Sequence, residues 1–369
     1  MDIKDALLAK RRRAIVSREG ALSTGSTLLN LACTDDPYCG FLKGGFYLIV
    51  GDSGAGKTFL TQTCFAEAVV NEYFKKYRLY FDDVEGGALM DQEYFFGKET
   101  AKRVEAPRYV KGEPVYSDMI EDLYDNLAEI IADKEPFVYV LDSQDALGSS
   151  ASAKKQKEQR KDREEGEETT GSYGDGKAKY HSDHLRTVLS GVRKLDSILI
   201  YISQTRDNVG SRGYGDKKTR SGGKALKFYA NVEIWLALGK PIVKRVRGEE
   251  RTIGVRCRAH VKKNRVTGKI GKDREVEIPI YFDYGIDDIG SCVDYLIKYK
   301  HWKEVGVEKR GRAEIPVYKT PELLFKGTRW DIVDHIEKEG LESKLIEATA
   351  QCWREIEEEC TTERKRRYE

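Results

Sequence analysis

The eight residues from 51 to 58 constrain the fold of this chain more than any other feature. The pattern G-x-x-x-x-G-K-[ST], whose backbone N–H groups surround phosphate oxygens, is matched by Gly51-Asp52-Ser53-Gly54-Ala55-Gly56-Lys57-Thr58. The apolar run 46–50 before it is strand-like, and apolar residues recur at helical spacing over 59–70. The alternative is a glycine-rich turn before an ordinary helix, but both flanks favour a phosphate loop. We therefore expect Lys57 to reach the β- and γ-phosphates of a nucleotide and the Thr58 hydroxyl to bind Mg²⁺.

Composition indicates a globular chain with balanced charge. Of 369 residues 34% are charged, yet the formal net charge is only +2, so any nucleic-acid site has to be a local cluster of cations. The seven cysteines form no C-x-x-C pair, which predicts reduced thiols and not a zinc site or a disulfide framework. The charged start at 1–5 and the lack of a long apolar run predict a cytoplasmic protein without signal peptide or membrane span.

Two further apolar, strand-like runs end in carboxylates. One is followed by Asp82-Asp83-Val84-Glu85 and the other by Asp142. Parallel α/β sheets collect their chemistry at the carboxyl ends of strands, so these acids are expected near the phosphate loop. We interpret Asp142 as part of the Mg²⁺ shell, together with Thr58, and Glu85 as the base that activates the attacking water. The alternative is that the acids at 82–85 only cap the following helix.

Two polar segments follow these runs. Residues 149–177 contain few apolar residues and predict a mobile charged loop, for which a merely solvated loop is the alternative. A buried strand at 197–204 ends in Gln204, and a basic, glycine-rich loop follows at 205–222. Such a loop suits single-stranded nucleic acid, because cations meet phosphates and an aromatic ring stacks on a base. The candidate contacts are Arg206, Arg212, Tyr214, Lys217, Lys218, Arg220, Gly222 and Gly223.

The two ends of the chain differ in composition from its centre. Residues 1–20 are basic and predict a short helix and an arm, which either is solvated or docks on a neighbouring subunit. Residues 289–369 predict a small, mainly helical module with helices at 328–339 and 342–359. The intervening residues 21–288 are expected to form one α/β core.

The chain resembles the RecA family of homologous-recombination ATPases over roughly residues 20–300. The most specific stretch is Gly222-Gly223-Lys224-Ala225-Leu226-Lys227-Phe228-Tyr229-Ala230, which is similar almost letter for letter to a run of that family. Six shorter runs resemble the family in the same order. They are Leu22-Ser23-Thr24-Gly25-Ser26, Asp83-Val84-Glu85, Leu141-Asp142-Ser143, Ile202-Ser203-Gln204-Thr205-Arg206, Val261-Lys262-Lys263-Asn264-Arg265 and Gly285-Ile286-Asp287.

The resemblance implies roles for particular residues. Glu85 would activate water, and Gln204 would sense the γ-phosphate and pass its state to the loop at 205–222. That loop would be the second DNA-binding loop, and 149–177 the first. Lys263 and Arg265 resemble cations that reach ATP from the adjacent subunit. Lys227 and Phe228 look like residues of the subunit interface.

The chain also departs from the family pattern. The first loop is longer and more charged than in bacterial members, and Arg265 stands where the family has Lys. The turn Glu85-Gly86-Gly87 lacks the usual residues that contact adenine, and Tyr94 is the alternative candidate for that contact. The C-terminal module matches only loosely. The chain therefore resembles a divergent member, such as one from a phage or mobile element.

These observations predict an α/β fold with a RecA-type P-loop NTPase core, whose mainly parallel central sheet is flanked by helices. The predicted function is a DNA-dependent ATPase that uses ATP and Mg²⁺ and assembles as a helical filament on single-stranded DNA. That filament would then pair with double-stranded DNA and exchange strands. The alternatives are a ring-shaped motor or helicase with the same core, or a nucleotide-gated adaptor that hydrolyses little ATP.

Overall fold

The computed structural model describes residues 16–154, 177–207, 218–220, 223–311 and 313–365. Most of the arm predicted at 1–20 and of the loop predicted at 149–177 lies outside these ranges. Within the described part, no helix is both long and apolar enough to cross a membrane.

The regular elements follow the predicted order of apolar runs. The strands are β1 (Ala21–Leu22), β2 (Phe41–Leu42), β3 (Gly45–Gly51), β4 (Arg78–Asp83), β5 (Val104–Glu105), β6 (Arg108–Val110), β7 (Glu113–Val115), β8 (Phe137–Asp142), β9 (Ile198–Asp207), β10 (Lys218–Arg220), β11 (Val232–Val246), β12 (Glu249–Asn264), β13 (Glu275–Tyr281), β14 (Gly285–Ile286), β15 (Lys303–Arg310), β16 (Ala313–Thr320) and β17 (Phe325–Thr328). The helices are α1 (Thr27–Thr34), α2 (Lys57–Val70), α3 (Gln92–Phe96), α4 (Lys98–Arg103), α5 (Ile120–Ala132), α6 (Lys177–Lys194), α7 (Gly223–Tyr229), α8 (Asp288–Lys298), α9 (Arg329–Glu339) and α10 (Glu342–Glu359).

One large sheet organises the core. Its order is β14-β13-β12-β11-β3-β9-β8-β4-β5, and β10 pairs with β9 beside this path. The six strands from β11 to β5 are joined by parallel pairings, which confirms the predicted α/β core. Strands β12, β13 and β14 extend the sheet by antiparallel pairs. Because β3, β9, β8 and β4 run in one direction, their carboxyl ends meet at one edge.

Helices cover both faces of this sheet. Along β3, Tyr47 and Ile49 join an apolar cluster with α1 and α2, while Phe46, Leu48 and Val50 join a second cluster with α5 and α6. The strand is fully buried, as expected for a parallel strand between two helical layers. Both faces of the strand therefore require apolar side chains, which explains its continuous apolar sequence.

The C-terminal segment adds a third apolar cluster. Buried residues of α8, α9 and α10, with Trp302 and Leu323, form this cluster, and the segment is mainly helical, as predicted. It also contains a three-stranded antiparallel sheet, β15-β16-β17, which we did not predict. Every residue of β15 is exposed, and its apolar alternation is limited to Val305 and Val307, which is too short a pattern to predict a strand.

A buried arginine fastens this C-terminal segment to the core. The side chain of Arg274 is fully buried and donates to Asp35 at the end of α1 and to Glu357 of α10, both at 2.6 Å. Its guanidinium also lies 5.0 Å from the ring centre of Trp353. Since two carboxylates and an aromatic face surround the charge, its burial is compensated.

Candidate functional site

The phosphate loop occupies the turn from β3 to α2. Gly54 and Gly56 adopt left-handed φ angles of 74° and 82°, which glycine adopts without the strain of a side chain. At Gly51, a Cβ atom would come within 2.5 Å of the carbonyl oxygen of Leu236 on the neighbouring strand. The geometry therefore requires glycine where the motif has it, and it leads into the N-terminus of α2, an anion-binding position.

Lys57, the first residue of α2, is 8% exposed. Its ammonium donates to the carbonyl oxygen of Asp52 at 2.7 Å, across the loop. Burial lowers the pKa of Lys57, and the carboxylates of Asp142, Glu85, Asp52 and Asp145 oppose that shift. These carboxylates favour the charged ammonium form of Lys57, which is the form that binds phosphate oxygens.

Thr58 and Asp142 form a pair of hard oxygen ligands. The Thr58 hydroxyl donates to the Asp142 carboxylate at 2.5 Å, joining α2 to the end of β8. Burial raises the pKa of Asp142 to about 6, and nearby Glu85 adds to the shift, while the Thr58 hydrogen bond opposes it. A buried carboxylate beside a hydroxyl fits Mg²⁺, which prefers such oxygens. Among the described residues, no cluster of three or more His, Cys, Asp or Glu suits another metal ion.

Glu85 lies in the turn after β4 and accepts two hydrogen bonds on one oxygen. The Ser143 hydroxyl and the Gln204 side-chain amide both donate to its Oε1, the amide at 2.9 Å. The turn is held by Asp83, whose carboxylate accepts from the backbone N–H groups of Gly87 and Ala88. Strands β4, β8 and β9 thus bring a base candidate and a sensor candidate together.

The segment after Gln204 begins as a β-ribbon. Residues 205–207 end β9 and pair antiparallel with 218–220 of β10, so the predicted loop at 205–222 is ordered strand at these positions. Arg206 lies on this ribbon, with a half-exposed side chain 3.6 Å from Asp145. The predicted contacts Arg212, Tyr214, Lys217 and Gly222 lie outside the described residues, and Lys218 and Arg220 are described only as backbone.

Gly223, the residue after the second predicted DNA-binding segment, packs against Ala178, the residue after the first. It has a φ of 71°, and a Cβ atom there would come within 2.7 Å of Cβ of Ala178 on α6. Helix α6 begins where the first segment ends, and α7 begins directly after the second. The absence of a side chain at Gly223 permits close contact between these two helices.

Four residues predicted to meet a neighbouring subunit form one patch. Lys227 and Phe228 lie on α7, and Lys263 donates to the backbone carbonyl oxygens of both, to Phe228 at 3.0 Å. The guanidinium of Arg265 lies 5.4 Å from the centre of the Phe228 ring, which is 63% exposed. An exposed aromatic ring with one cation beside it, and a second cation on its backbone carbonyl oxygen, is available for contact with another chain.

The patch formed by these four residues is distant from the phosphate loop of the same chain. Asn264 pairs with Val232, and Val232 pairs with Tyr47, four residues before Gly51 on β3. At about 3.3 Å per residue, the two sites are separated by roughly 13 Å along the strand direction alone. Lys263 and Arg265 therefore lie toward the edge of the sheet opposite their own phosphate loop.

Two contacts of the site were not predicted from the sequence. Asp145 accepts a hydrogen bond from the backbone N–H of Gln204 at 2.7 Å, and the Thr205 hydroxyl donates to Asp52. Asp145 lies only three residues beyond Asp142, close to the end of the same strand, and this position is the signal from which it could have been predicted. Tyr94, the alternative candidate for the adenine contact, is 65% exposed, and its hydroxyl donates to the carbonyl oxygen of Asp283.

Comparison with known proteins identifies the family. A model of the RecA N-terminal domain matches residues 149–287. Protein RecA of a Nitratiruptor species is 31% identical over 286 residues, which cover 75% of this chain and 71% of that protein. The chain belongs to the RecA family. Protein RecA of Wolinella succinogenes is 30% identical, covering 81% of this chain and 77% of that protein, and Protein RecA of Helicobacter pylori (strain G27) is 31% identical, covering 77% and 72%. The resemblance inferred from the motifs is thereby confirmed, and RecA-family similarity extends well beyond the phosphate loop.

Proposed function

We propose that this chain is a DNA-dependent ATPase that assembles on single-stranded DNA as a filament and promotes homologous pairing and strand exchange with double-stranded DNA. Family membership supports the class of activity. The arrangement of Glu85, Gln204 and the ribbon that follows supports the dependence on DNA.

In this proposal ATP is the substrate, and its phosphates lie in the turn at 51–58. Lys57 binds the β- and γ-phosphates, and Thr58 and Asp142 hold Mg²⁺. The metal ion, when bound, supplies positive charge to the phosphate oxygens. Glu85 accepts a proton from the water that attacks the γ-phosphate, while Ser143 orients the carboxylate through its hydrogen bond.

The hydrogen bond from Gln204 to Glu85 carries the proposal. A γ-phosphate near this pair competes for the amide of Gln204, and any shift of Gln204 moves the first residues of the ribbon at 205–207. Conversely, DNA held by the cations of that segment biases the position of Gln204. Because the two effects are thermodynamically linked, ATP tightens DNA binding to the same extent that DNA tightens ATP binding.

The patch formed by Lys227, Phe228, Lys263 and Arg265 supports assembly into a filament. Lys263 and Arg265 are too far from their own phosphate loop to act on it, whereas a neighbouring subunit could receive both cations at its nucleotide. Positive charge supplied in this way stabilises the transition state only within an assembled filament. Hydrolysis would then depend on assembly, with Lys227 and Phe228 in the contact.

The test measures ATP hydrolysis by the full chain with and without single-stranded DNA at modest salt, followed by electron microscopy of the same samples. Strong stimulation and helical filaments are expected. Hydrolysis that is indifferent to DNA contradicts the proposal and favours the adaptor, and closed rings in place of filaments favour the motor.

A further inference from the structure

Asp145 occupies an unusual position beside the candidate nucleotide site. It lies three residues beyond Asp142, in the turn that follows β8, and its side chain is only 9% exposed. The role proposed for Mg²⁺ binding uses Asp142 and the role of base uses Glu85, so neither explains a third acid at this depth. Asp145 instead contacts the strand that carries Gln204.

The turn that carries Asp145 is bonded to the end of β9 at consecutive positions. The backbone N–H of Gln144 donates to the carbonyl oxygen of Ile202 at 3.1 Å, and the Gln144 side chain donates to the Ser203 hydroxyl at 3.1 Å. The Asp145 carboxylate then accepts from the backbone N–H of Gln204 at 2.7 Å. Asp145 thus determines where the backbone of Gln204 lies, and hence whether the Gln204 amide reaches Glu85.

The same carboxylate faces the first cation of the ribbon. Its second oxygen lies 3.6 Å from the guanidinium of Arg206, whose side chain is 59% exposed. A phosphate group of DNA is a stronger, bidentate partner for an arginine that solvent can reach. DNA can therefore take Arg206 from Asp145, and the carboxylate then has the Gln204 N–H as its closest described partner.

The backbone of this turn also contacts the other predicted DNA segment. Lys177 is the first residue of α6, directly after residues 155–176, and its ammonium donates to the carbonyl oxygen of Leu147 at 2.9 Å and to that of Asp145 at 3.4 Å. One short turn therefore contacts Lys177, the last residue of the first segment, and the residues that open the second.

We propose that Asp145 is a positioning residue that couples the nucleotide site to DNA binding. It holds the backbone of Gln204 where the side-chain amide reaches Glu85, and it releases Arg206 when a DNA phosphate binds that arginine. The two segments and the nucleotide site therefore change together. This inference rests on the proposed function, since it specifies how DNA stimulates hydrolysis.

Two substitutions separate the contacts of Asp145. In Asp145→Asn the side-chain carbonyl can still accept from the Gln204 N–H, but the charge that pairs with Arg206 is lost. In Asp145→Ala both contacts are lost. Asp125→Asn, at an exposed position of α5 outside the site, is the matched control.

The measurements are ATP hydrolysis by the full chain with and without an oligo-dT strand, and the affinity for that strand with a non-hydrolysable ATP analogue or with ADP. We expect Asp145→Ala to lower the stimulation ratio by about fivefold or more, and to reduce the analogue-to-ADP difference in affinity by a similar factor. Asp145→Asn should bind the strand more tightly with ADP than the wild type does, because Arg206 is released. Asp125→Asn should keep both wild-type ratios.

The outcomes distinguish this inference from the proposed function. A wild-type chain that DNA stimulates, with Asp145→Ala folded by circular dichroism and stimulated to the same ratio, overturns the role of Asp145 alone. A wild-type chain that DNA does not stimulate overturns the proposed function, and this inference with it. If Asp145→Ala does not fold, Asp145→Asn decides, since wild-type affinities with both nucleotides would contradict the exchange of Arg206.

Discussion

The side-chain amide of Gln204 donates to the carboxylate of Glu85 at 2.9 Å, although the two residues are 119 positions apart in the chain. Glu85 follows β4 and Gln204 lies near the end of β9, with β8 between them in the sheet. This contact joins the residue proposed to activate water to the strand that leads into the predicted DNA-binding segment.

Removing the ammonium of Lys57 should abolish hydrolysis. The substitution Lys57→Ala deletes the cation proposed for the β- and γ-phosphates, and we expect a loss of at least about 100-fold in turnover, comparable to the loss of one preorganised transition-state contact. Steady-state ATP hydrolysis is the measurement. The control is Lys102→Ala, an exposed lysine on α4 that pairs with Glu99. Full activity of Lys57→Ala would remove the assignment of the site.

Glu85→Gln should separate binding from turnover. The amide keeps the size of the side chain but cannot take a proton from water, so we expect ATP binding to persist while hydrolysis falls by about 10² to 10⁴. Fluorescent-nucleotide binding and hydrolysis are measured on the same preparation. Glu99→Gln on α4 is the matched exposed control, and unchanged turnover in Glu85→Gln would mean that the base lies elsewhere.

Neutralising Lys263 and Arg265 together should weaken DNA-stimulated hydrolysis without unfolding the subunit. Both side chains lie toward the sheet edge opposite their own phosphate loop, so their loss should act only in the assembled state. We expect a reduction of roughly 10³ in stimulated turnover if both serve the neighbouring nucleotide. The paired control is Lys75→Ala with Lys76→Ala, which removes two exposed lysines. Wild-type stimulation in the Lys263 and Arg265 double variant would exclude the role.

Arg274→Ala should destabilise the junction between the core and the C-terminal segment. The substitution removes the buried arginine from Asp35 and Glu357, which keep Lys269 as a cationic partner. We therefore expect a cost of about 3 kcal/mol of unfolding free energy, at the lower end for breaking a buried ion pair. Urea unfolding followed by tryptophan fluorescence measures the loss. Arg258→Ala removes a half-exposed arginine that lies 3.7 Å from Glu275, and it should cost under about 1 kcal/mol. Equal effects of the two substitutions would contradict the role of burial.

The stability of the protein should fall as pH rises across the titration of Asp288. Burial raises the pKa of Asp288 to about 6, despite hydrogen bonds from the backbone and hydroxyl of Thr27. Because the folded state holds this proton more tightly than the unfolded state, the contribution is complete below about pH 4 and is lost as pH rises through 6. The contribution is on the order of 3 kcal/mol.

The measurement for Asp288 is the difference in unfolding free energy between wild type and Asp288→Asn at pH 4.5 and pH 7.5. Asparagine stays neutral, so the variant should gain on the wild type as pH rises. A difference that does not change with pH would contradict the shifted pKa.

Elements whose signals are local could be predicted from the sequence. The phosphate loop, the acids that end β4 and β8, and Gln204 near the end of β9 each lie in a run whose apolar pattern and turn residues specify the element. Ser26 caps α1 by accepting from the backbone N–H of Leu29, as expected of a serine before an apolar helix. The α/β core and the RecA family followed from these runs and their order.

Other features depend on the packing of distant segments and were not predicted. Nothing local marks Asp145 as the partner of Gln204, because their contact exists only once β8 and β9 lie side by side. The exposed strand β15 has only Val305 and Val307 at alternate positions, and its pairing with β16 could not be predicted from so short a pattern. Burial of Arg274 likewise depends on α10 reaching the core.

Short stretches of the sequence specify the local chemistry: a phosphate-binding turn, its lysine and hydroxyl, and carboxylates at strand ends. Backbone geometry and apolar periodicity act over a few residues, so a short stretch is enough to specify them. Which of these groups share a hydrogen bond depends on how distant strands pack together. That packing brings Gln204 to Glu85 and Asp145, and it separates Lys263 from its own phosphate loop, because strand order in the sheet is a property of the whole fold.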